Sequence, residues 1–518
     1  MKVAHSIPAS KTEKLVDLAI ELQEFVDQAA ADGESLYETE KGILAKVLKM
    51  GHLAIDRLLQ RQGDGDLGLT LQTAGGVELQ RSESLVERPL RTVFGEHTFD
   101  AYVYAPGPKQ KIALRPIDAR LNLPAGKYSY LLEEFTQYFC VEQAFGQAAD
   151  AFETVLRQKL SVDTLERTNG RLGEQAREYL DALPTPPVQE EGELLVATAD
   201  GKGVPLIRDN APAPPVHGLK PSRPGNRRMA TLACVYSVDP YVRSAEDVVA
   251  ALFRDERERD ATARPQPCHK RMTACFPTLE DAGSEDELLI RGDIRAWTWA
   301  AEQIDQRRAD GQVLVRLCDG QQSLWRVADI CLGLDDKDAS QKRLANVVDV
   351  LDVIHVSGYV WSAGRALYGK TESSVESFVR DRLLRILQGQ AEGVIRGIRR
   401  MATERGLGGQ KLKDVTTACN YLENNLQRMR YDEYLAAGYP IASGVIEGAC
   451  RHLVKDRMER TGMRWREPSA GAMLFVRALE VTGLWEPFQI HRQAVECQRL
   501  HPHQTLLNDY TPNLAIAL

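Results

Sequence analysis

Hydrophobic residues recur at helical spacing in three separate parts of the chain. The first covers residues 10–60, as in "KTEKLVDLAIELQEFVDQ", the second begins near Ser129, and the third covers residues 356–440. Apolar residues three and four positions apart are typical of amphipathic helices, so all three parts are predicted to be helical. In the third part, one apolar stripe consists of Val375, Phe378, Val379, Leu383 and Leu387.

Two other parts of the chain follow β patterns. Within residues 88–118, Phe99, Ala101 and Val103 alternate with more polar neighbours, which is typical of a half-buried strand. The segment "PTPP" at 184–187, followed by "VQEEGE", is interpreted as a linker. Beyond it strands and helices alternate to about residue 356, which predicts an α/β domain.

These patterns divide the chain into eight predicted regions. They are a helical N-terminal region (1–87), a small β element (88–128), a helix-turn-helix-like region (129–183), a linker (184–192), the first part of an α/β core (193–355), a helical insertion (356–440), a core helix with a glutamate and a basic strip (441–485), and a C-terminal tail (486–518).

Two predicted strands end in the same way, with an aspartate followed by glycine. The apolar run of "ELLVATADGKGVPL" leads to Asp200, and that of "GQVLVRLCDGQQSLW" leads to Asp319. Ligands of open α/β sheets bind outside the carboxyl ends of the strands, so both carboxylates are candidates for one shared site. Either aspartate alone would be better explained as a turn or cap residue.

A third carboxylate supports a shared site. In "YPIASGVIEGACRHLVKDRMERTGMRW", Ser443 is predicted to cap a helix that begins near Gly444, which places Glu447 in its first turn. A structural role there, facing the helix dipole, is the simpler alternative. Helical spacing also places Arg451 and Lys455 on the face of Glu447.

The segment that follows Glu447 is basic although the whole chain is acidic. Residues 451–477 contain seven basic and three acidic residues, a net charge of +4, whereas the chain has a net charge of −8. Arg451, Lys455 and Arg457 are therefore candidate contacts to DNA phosphates. The negative total argues against a protein that coats nucleic acid indiscriminately.

Three carboxylates from two strands and a helix form a hard oxygen-ligand set suited to two Mg²⁺ or Mn²⁺ ions. Asp200 is predicted to bridge both ions, while Asp319 and Glu447 each hold one. Gly201, Gly203 and Gly320 are expected to let the DNA backbone approach closely.

A separate DNA-reading element is predicted before the linker. Two helices flank "QKLS", with Ser161 as the N-cap of the second. Arg167, Asn169 and Arg171 are expected to point outward from the second helix, where they suit phosphates and base edges. An ordinary helical hairpin is an equally good interpretation.

Two further segments have simple structural interpretations beside functional ones. His355, in "VVDVLDVIHVSGYVW", could lie beside a metal or DNA, but a satisfied histidine at a strand edge is favoured. The basic, Pro/Gly-rich segment 217–229 could be a DNA-contacting hairpin, although a loop is the simpler interpretation.

Cysteine usage and hydropathy bear on location. The nine cysteines are scattered, and the closest pair, Cys268 and Cys275, does not have zinc-ribbon spacing. Reduced thiols in a cytosol are therefore expected. Neither a membrane-spanning run nor a signal-peptide core is evident, so no membrane association is predicted.

The segments "ATADGKGVPL", "LCDGQQSLW" and "YPIASGVIEGACRHLVKDRMERTGMRW", in this order, resemble the Asp, Asp and Glu blocks of the ISKra-type insertion-sequence family of bacterial DDE transposases. The resemblance covers about residues 190–480. It implies a ribonuclease-H-like catalytic core with a helical insertion, and catalytic and metal-binding roles for Asp200, Asp319 and Glu447. The Tyr-Arg-Glu-Lys signature of a better-known group is absent, since Ser443 and Val454 stand at its Arg and Lys positions.

The resemblance implies metal-dependent cleavage of double-stranded DNA at the terminal inverted repeats and joining of the 3′-hydroxyl to target DNA. Paired ends imply a homo-oligomer. Two alternatives remain open at this point: a ribonuclease-H-like nuclease that only hydrolyses, and a DNA-binding regulator that has lost catalysis.

Overall fold

The computed structural model describes residues 15–207, 227–255, 264–280, 288–334, 344–369, 372–460 and 463–512. The fold is mixed α/β and mostly helical. The chain forms two structural units, the first made of Met1–Tyr179 with Leu484–Leu518 and the second of Leu180–Gly483. Most of the predicted segment 217–229 lies outside the described residues.

The first unit combines helices with short antiparallel strands. Its helices are α1 (Leu15–Asp32), α2 (Leu36–Gln60), α3 (Pro116–Leu121), α4 (Tyr130–Glu142), α5 (Phe145–Leu156), α6 (Val162–Asp181, which runs into the boundary between the units) and, far along the chain, α18 (Trp485–Leu500). Its strands are β1 (Thr70–Gln72), β2 (Glu78–Arg81), β3 (Val86–Thr92), β4 (Gly95–Ala101) and β5 (Tyr104–Ala105).

Two predicted boundaries of this unit are wrong. The strands begin at Thr70, well before residue 88, because β1 and β2 are too short for an alternating pattern to stand out. The predicted tail from 486 contains α18, whose Phe488 is completely buried in the core. The many polar residues of α18 make its one buried face hard to recognise in the sequence.

The second unit contains the remaining helices and strands. Its helices are α7 (Ala245–Phe253), α8 (Gly292–Arg307), α9 (Gln322–Cys331), α10 (Val353–Tyr368), α11 (Glu372–Leu387), α12 (Ala391–Glu404), α13 (Gly409–Asn424), α14 (Tyr431–Ala436), α15 (Gly444–Ala449), a π-helical segment (Cys450–Lys455), α16 (Asp456–Met458) and α17 (Glu467–Val481). Its strands are β6 (Leu194–Pro205), β7 (Arg227–Val238), β8 (Cys268–Cys275), β9 (Thr278–Glu280), β10 (Leu288–Ile290), β11 (Val313–Cys318) and β12 (Val347–Leu351).

A mixed five-stranded sheet organises the second unit, with strand order β12-β11-β6-β7-β8. The first three strands in chain order, β6, β7 and β8, are antiparallel, whereas β11 and β12 run parallel to β6. Strands buried on both faces read as continuous apolar runs, which explains why Leu194–Ala197 and β11 lack alternation.

Helices α8 and α9 cover one face of this sheet. Trp297 of α8 and Trp325 of α9 are almost completely buried against Leu195, Val235 and Leu314 of the strands. Burial of such large apolar side chains supplies most of the driving force for this core, at about 25 cal/mol per Å² removed from water.

The region between β12 and α15 is helical, as its periodicity predicts. It consists of α10 to α14, and the stripe of Val375, Phe378, Val379, Leu383 and Leu387 is buried. The segment "RGLGGQ" covers the connection from α12 to α13 and the first two residues of α13, and its Gly406 and Gly409 have positive φ angles that favour glycine.

Candidate active site

Asp200 lies inside a long strand rather than at its tip. The strand β6 continues to Pro205, and Asp200 is paired across to Leu232 of β7. On its other side, however, β6 pairs with β11 only over Leu194–Ala197. Asp200 therefore lies just beyond the point at which β6 and β11 separate, at the carboxyl end of their parallel pairing.

Three aspartates come level with one another at this edge of the sheet. Arg316 is in register with Ala197, so continuing the register by three residues brings Asp319 beside Asp200. Cys318 is in register with Leu351, which brings Asp352 beside Asp319. Because neighbouring strands lie about 4.8 Å apart, the row spans the ends of three adjacent strands.

Glu447 reaches the same edge from a helix. It lies in the short helix α15, and Ser443 precedes that helix as predicted. The predicted side-chain cap is wrong, because the Ser443 hydroxyl donates to Asp352 Oδ2 at 2.8 Å instead. The backbone N–H of Ser443 donates to Asp352 Oδ1 at 3.1 Å, so Asp352 fixes the start of the helix that carries Glu447.

The helix after Glu447 is not regular. Residues Cys450–Lys455 are π-helical, with the wider turn of i→i+5 hydrogen bonds. The prediction that Arg451 and Lys455 share the face of Glu447 assumed 3.6 residues per turn, and the π-helical segment removes that basis. The wider turn lies against Asp200, since the Cys450 thiol donates to Asp200 Oδ2 at 3.3 Å.

Burial and neighbouring carboxylates raise the pKa of Asp319 and of Glu447. Burial raises the pKa of Asp319, and the charge of Asp200 raises it further, while the N–H of Gln321 opposes the shift. Burial likewise raises the pKa of Glu447, and the charges of Asp352 and Asp200 add to the effect. Two like charges about 5 Å apart repel by about 3 kcal/mol at an effective dielectric constant of about 20.

His355 supplies a positive charge to this cluster. It lies in the first turn of α10 rather than at a strand edge, and its Nδ1 is 2.7 Å from Asp352 Oδ2 and 3.8 Å from Glu447 Oε1. The hydrogen bond to Asp352 is the main cause that raises the pKa of His355 to about 9. His355 therefore has a hydrogen-bond partner, as the prediction of a satisfied histidine requires, but the predicted place at a strand edge is wrong.

The ligand atoms of Asp352, His355 and Glu447 all lie within 4.8 Å of one another. Among the described residues near this edge, that set, rather than the predicted Asp200, Asp319 and Glu447, meets this spacing. The predicted trio is linked instead by the electrostatic effects of Asp200 on Asp319 and on Glu447. Its catalytic and metal-binding roles stay a prediction.

Asp352 was missed as a site residue by the sequence reasoning. It is completely buried, and it also accepts from the N–H of Ile354 as the N-cap of α10. A signal was present, since "NVVDVLD" is another apolar strand that ends in an aspartate. The absence of a following glycine made it look unlike the other two.

The glycines beside the aspartates accommodate neighbouring side chains. A Cβ at Gly320 would lie 2.3 Å from the ring of Tyr421, and one at Gly201 would lie 2.7 Å from Met229 Cε. A Cβ at Gly203 would lie 3.3 Å from Arg227 Cδ. The expectation of room for a DNA backbone is thus wrong at Gly320, where the Tyr421 ring fills the space. At Gly201 and Gly203 it stays a prediction, because Met229 and Arg227 are exposed, flexible side chains.

The basic strip is only partly available to DNA. Arg451 and Lys455 are exposed, as expected of phosphate contacts. Arg457 is completely buried, with its guanidinium over the Trp465 ring at 4.7 Å and Nη1 3.0 Å from Met463 Sδ. Its prediction as a DNA contact is wrong, because an arginine stem packs well against apolar surface.

Two exposed arginines of the strip lie near the far end of β6. Trp465 donates its N–H to Pro205 O at 3.0 Å and accepts from Ile207 N at 2.8 Å, which attaches this segment to the strand. Arg464 and Arg466, on either side of Trp465, are exposed. Five residues of strand separate Asp200 from Pro205, about 16 Å.

Some of the predicted helix-turn-helix residues lie where the sequence predicts them, and others do not. Ser161 does cap α6, since its hydroxyl accepts from Thr164 N at 3.2 Å. Arg167 is exposed and pairs with Asp163, as an outward residue can. Asn169 is 1% exposed, and its amide donates to Gln137 Oε1 at 3.0 Å, so the prediction that it points outward is wrong.

Arg171 is half-exposed and forms an ion pair with the buried Glu133 of α4. That pair, together with the contact of Asn169 to α4, ties α6 to its neighbouring helix. These contacts favour the ordinary helical packing that was the alternative interpretation for this face of α6.

Two further observations concern the cysteines and the lengths of the helices. All nine cysteines are free thiols. Within the described part of the chain, no helix has the length and apolar character needed to cross a bilayer.

Comparison with known proteins leaves the family open. No protein-family model matches the chain, and no curated protein matches it. Among solved structures, the Drosophila P element transposase strand transfer complex matches with 11% identity over 73% of this chain and 92% of that chain, at a TM-score of 0.22. A TM-score this low does not assign the fold.

Proposed function

We propose that the chain is a DNA transposase of the DDE type, which cleaves the ends of an insertion sequence and joins the 3′-hydroxyl to target DNA. The observation that carries the proposal is the meeting of Asp200, Asp319 and Glu447 at one sheet edge, where the charge of Asp200 raises the pKa of both others. A cluster of repelling carboxylates is costly unless cations hold it together.

The sheet agrees with this proposal. Three antiparallel strands followed by two parallel ones, with helices against the sheet, are compatible with a ribonuclease-H-like core. The five helices α10 to α14 would be the helical insertion of that core. We also propose that the chain is a member of the ISKra-type family, because its three sequence blocks resemble those of that family.

The donor set fits Mg²⁺ or Mn²⁺. Carboxylate oxygens are the ligands these hard cations prefer, and Asp200, Asp319 and Glu447 would hold two ions, with Asp200 between them. Bound at this edge, the ions would polarise a phosphodiester and neutralise its developing charge. His355 would hold Glu447 in place through their 3.8 Å contact, and Asp352 would hold both His355 and Ser443.

Double-stranded DNA would approach along the exposed cations. Arg451 and Lys455 lie in the π-helical segment that follows Glu447, and Arg464 and Arg466 lie toward the end of β6. Exposed cations near an acidic centre let a polyanion approach carboxylates that would otherwise repel it. Pairing of two element ends would require a homo-oligomer.

The test is a cleavage assay with Mg²⁺ or Mn²⁺ on DNA that carries the element's terminal repeats. Asp200→Asn, Asp319→Asn and Glu447→Gln keep the side-chain shape but remove the charge, and each should lower the rate on the order of a thousandfold, or about 4 kcal/mol. The matched control is Asp310→Asn, at an exposed aspartate outside the site. Equal cleavage rates for the parent and Asp200→Asn would contradict the proposal.

Two further measurements separate transposition from its alternatives. Joining of a pre-cleaved 3′ end to a second DNA distinguishes a transposase from a nuclease that only hydrolyses. Mn²⁺ binding, followed by electron paramagnetic resonance, should weaken in Asp200→Asn but not in Asp310→Asn. DNA binding without Mn²⁺ binding or cutting would indicate a regulator instead.

A further inference from the structure

A cavity of about 400 Å³ opens beside Glu447. One face of α10 and one face of α13 form its walls, and its lining includes His355, Gly358, Tyr359 and Lys413. Whatever occupies this cavity lies next to the proposed catalytic glutamate. A volume of a few hundred Å³ is typical of sites for small organic molecules.

The aromatic wall of the cavity is rigid. The ring of Tyr359 stacks on Tyr421 with centroids 3.7 Å apart and planes inclined by 19°. The Tyr421 hydroxyl accepts from the N–H of Gly320 at 3.2 Å, so the stacked pair is fixed to the turn that carries Asp319. Tyr359 is therefore held at a defined place relative to the carboxylates.

Gly358 lines the cavity and weakens the helix that carries it. Gly358 lies inside α10, where glycine destabilises a helix by about 0.5–1 kcal/mol relative to alanine. A Cβ at Gly358 would meet nothing within 4 Å, so packing does not require glycine there. Gly364 of the same helix differs, since its Cβ would crowd Phe378 at 3.1 Å.

We propose that this cavity receives a single nucleotide of the reacting DNA strand, unstacked from the duplex, with its base against Tyr359 and its phosphate toward Lys413. The inference rests on the proposed function. A planar base suits the aromatic wall, the exposed Lys413 suits a phosphate, and Ser362 and Gln410 offer groups for base edges. A base that is paired and stacked inside a duplex cannot reach the wall of a cavity, so the nucleotide must leave the duplex.

The test fills the cavity without removing any of its walls. Gly358→Leu places a large side chain in the open space, and because leucine favours helix the variant should fold at least as stably as the parent. Gly397→Leu is the matched control, since Gly397 also lies inside a helix, α12, with open space around its Cβ and outside the cavity. Gly358→Ala adds only one carbon.

The probe is a single-stranded decamer of 5-iodo-2′-deoxyuridine, cross-linked by light to the full-length protein in EDTA. The parent, Gly358→Ala and Gly397→Leu should yield an adduct on the peptide that contains Tyr359. Gly358→Leu should lower that adduct about tenfold or more, the effect of losing about 1–3 kcal/mol of stacking. No adduct at Tyr359 in the parent, or an equal yield in Gly358→Leu, would overturn the inference.

Metal-free cross-linking also separates this inference from the proposed function. Asp200→Asn should retain the Tyr359 adduct while losing Mg²⁺-dependent cleavage. If Asp200→Asn cuts DNA like the parent but the adduct depends on Gly358, the cavity binds a nucleotide and the catalytic assignment fails. If cleavage needs Asp200 but no adduct forms, the cavity assignment fails alone.

Discussion

Asp352 connects the elements that form the candidate site. Its buried carboxylate accepts hydrogen bonds from two N–H groups, those of Ile354 and Ser443, and from the Ser443 hydroxyl, and it contacts His355. Burial raises its pKa, but these bonds outweigh burial and leave the pKa below its usual range. A carboxylate with so many donors stays charged inside the protein and joins β12, α10 and α15 at one point.

We expect Asp352→Ala to lower the free energy of unfolding of the second unit by about 3 kcal/mol. The change removes a helix cap and leaves the groups around His355 and Ser443 buried without their acceptor. Ser443→Ala, which removes one of these donors, should cost about 1 kcal/mol. Urea unfolding of both variants measures the difference, and equal midpoints would contradict this account of Asp352.

Replacing Lys455 should affect DNA binding, whereas replacing Arg457 should affect stability. Lys455→Ala should weaken binding to any DNA duplex and reduce the salt dependence of log K by about one unit of slope, as the loss of one phosphate contact does. Arg457→Ala should leave that slope unchanged and lower thermal stability, since this buried side chain packs on Trp465. Titrations of fluorescent DNA at several salt concentrations distinguish them.

At the scale of elements, the π-helical segment determines the orientation of the residues that follow Glu447. Six residues, Cys450–Lys455, take the wider turn, and the sequence there contains only ordinary helix-compatible residues. The segment contacts β6 through Cys450 and Asp200, and Arg477 of α17 donates to the carbonyl of Leu453 at 3.1 Å. Tertiary partners therefore satisfy carbonyls that a regular α-helix would satisfy itself, so periodicity could not predict it.

His97 joins α2 to the β3–β4 hairpin in the first unit. Its Nδ1 lies 2.6 Å from Asp56 of α2 and its Nε2 lies 3.0 Å from the Thr92 hydroxyl, and its side chain is completely buried. Burial lowers the pKa of His97 and outweighs the hydrogen bond that His97 donates to Asp56, which acts in the opposite direction. The folded protein thus takes up the His97 proton at lower pH than the unfolded chain.

The stability of the first unit should therefore fall as pH drops. Above a pH of about 6.5, the ordinary histidine pKa, His97 is neutral in both states and costs nothing. Below it the unfolded chain binds the proton first, so stability declines until the pH reaches the lowered pKa of the folded state. Urea midpoints from about pH 7.5 to 5 measure the slope, and His97→Gln should flatten it more than His503→Gln does. Parallel slopes in both variants would contradict the role of His97.

At the scale of the whole molecule, each structural unit has ion pairs that involve a buried arginine. In the first, Arg492 of α18 pairs with Glu133 of α4, and both side chains are buried. In the second, the buried Arg316 of β11 pairs at 2.7 Å with each of two partly exposed carboxylates, Asp349 of β12 and Asp329 of α9. Removing one partner of a buried pair costs about 3–5 kcal/mol because it leaves a charge without its counterion.

These pairs predict which part of the chain each substitution weakens. Chains with more than one structural unit often depart from two-state unfolding. In scanning calorimetry, Arg492→Met should lower the transition of the first unit and Arg316→Met that of the second. An identical shift of a single transition by both substitutions would show that the two units unfold together.

The sequence by itself determined most of the helices and the strands β6 and β11, and it singled out three carboxylates as candidates, because these depend on local patterns. Periodicity identified the stripe from Val375 to Leu387, and apolar runs identified β6 and β11 with Asp200 and Asp319 at their parallel ends. The block around Glu447 was visible from its charge pattern and its resemblance to the family.

Only the tertiary structure decided which side chains lie together at the sheet edge and which candidate residues are buried. The register of β11 with β12 brings Asp352 into the row, packing buries Asn169 and Arg457, and Tyr421 takes the space beside Gly320. Burial, register and helix phase depend on partners far away in the chain. Residue type and spacing constrain only neighbours, so they leave these partners undetermined.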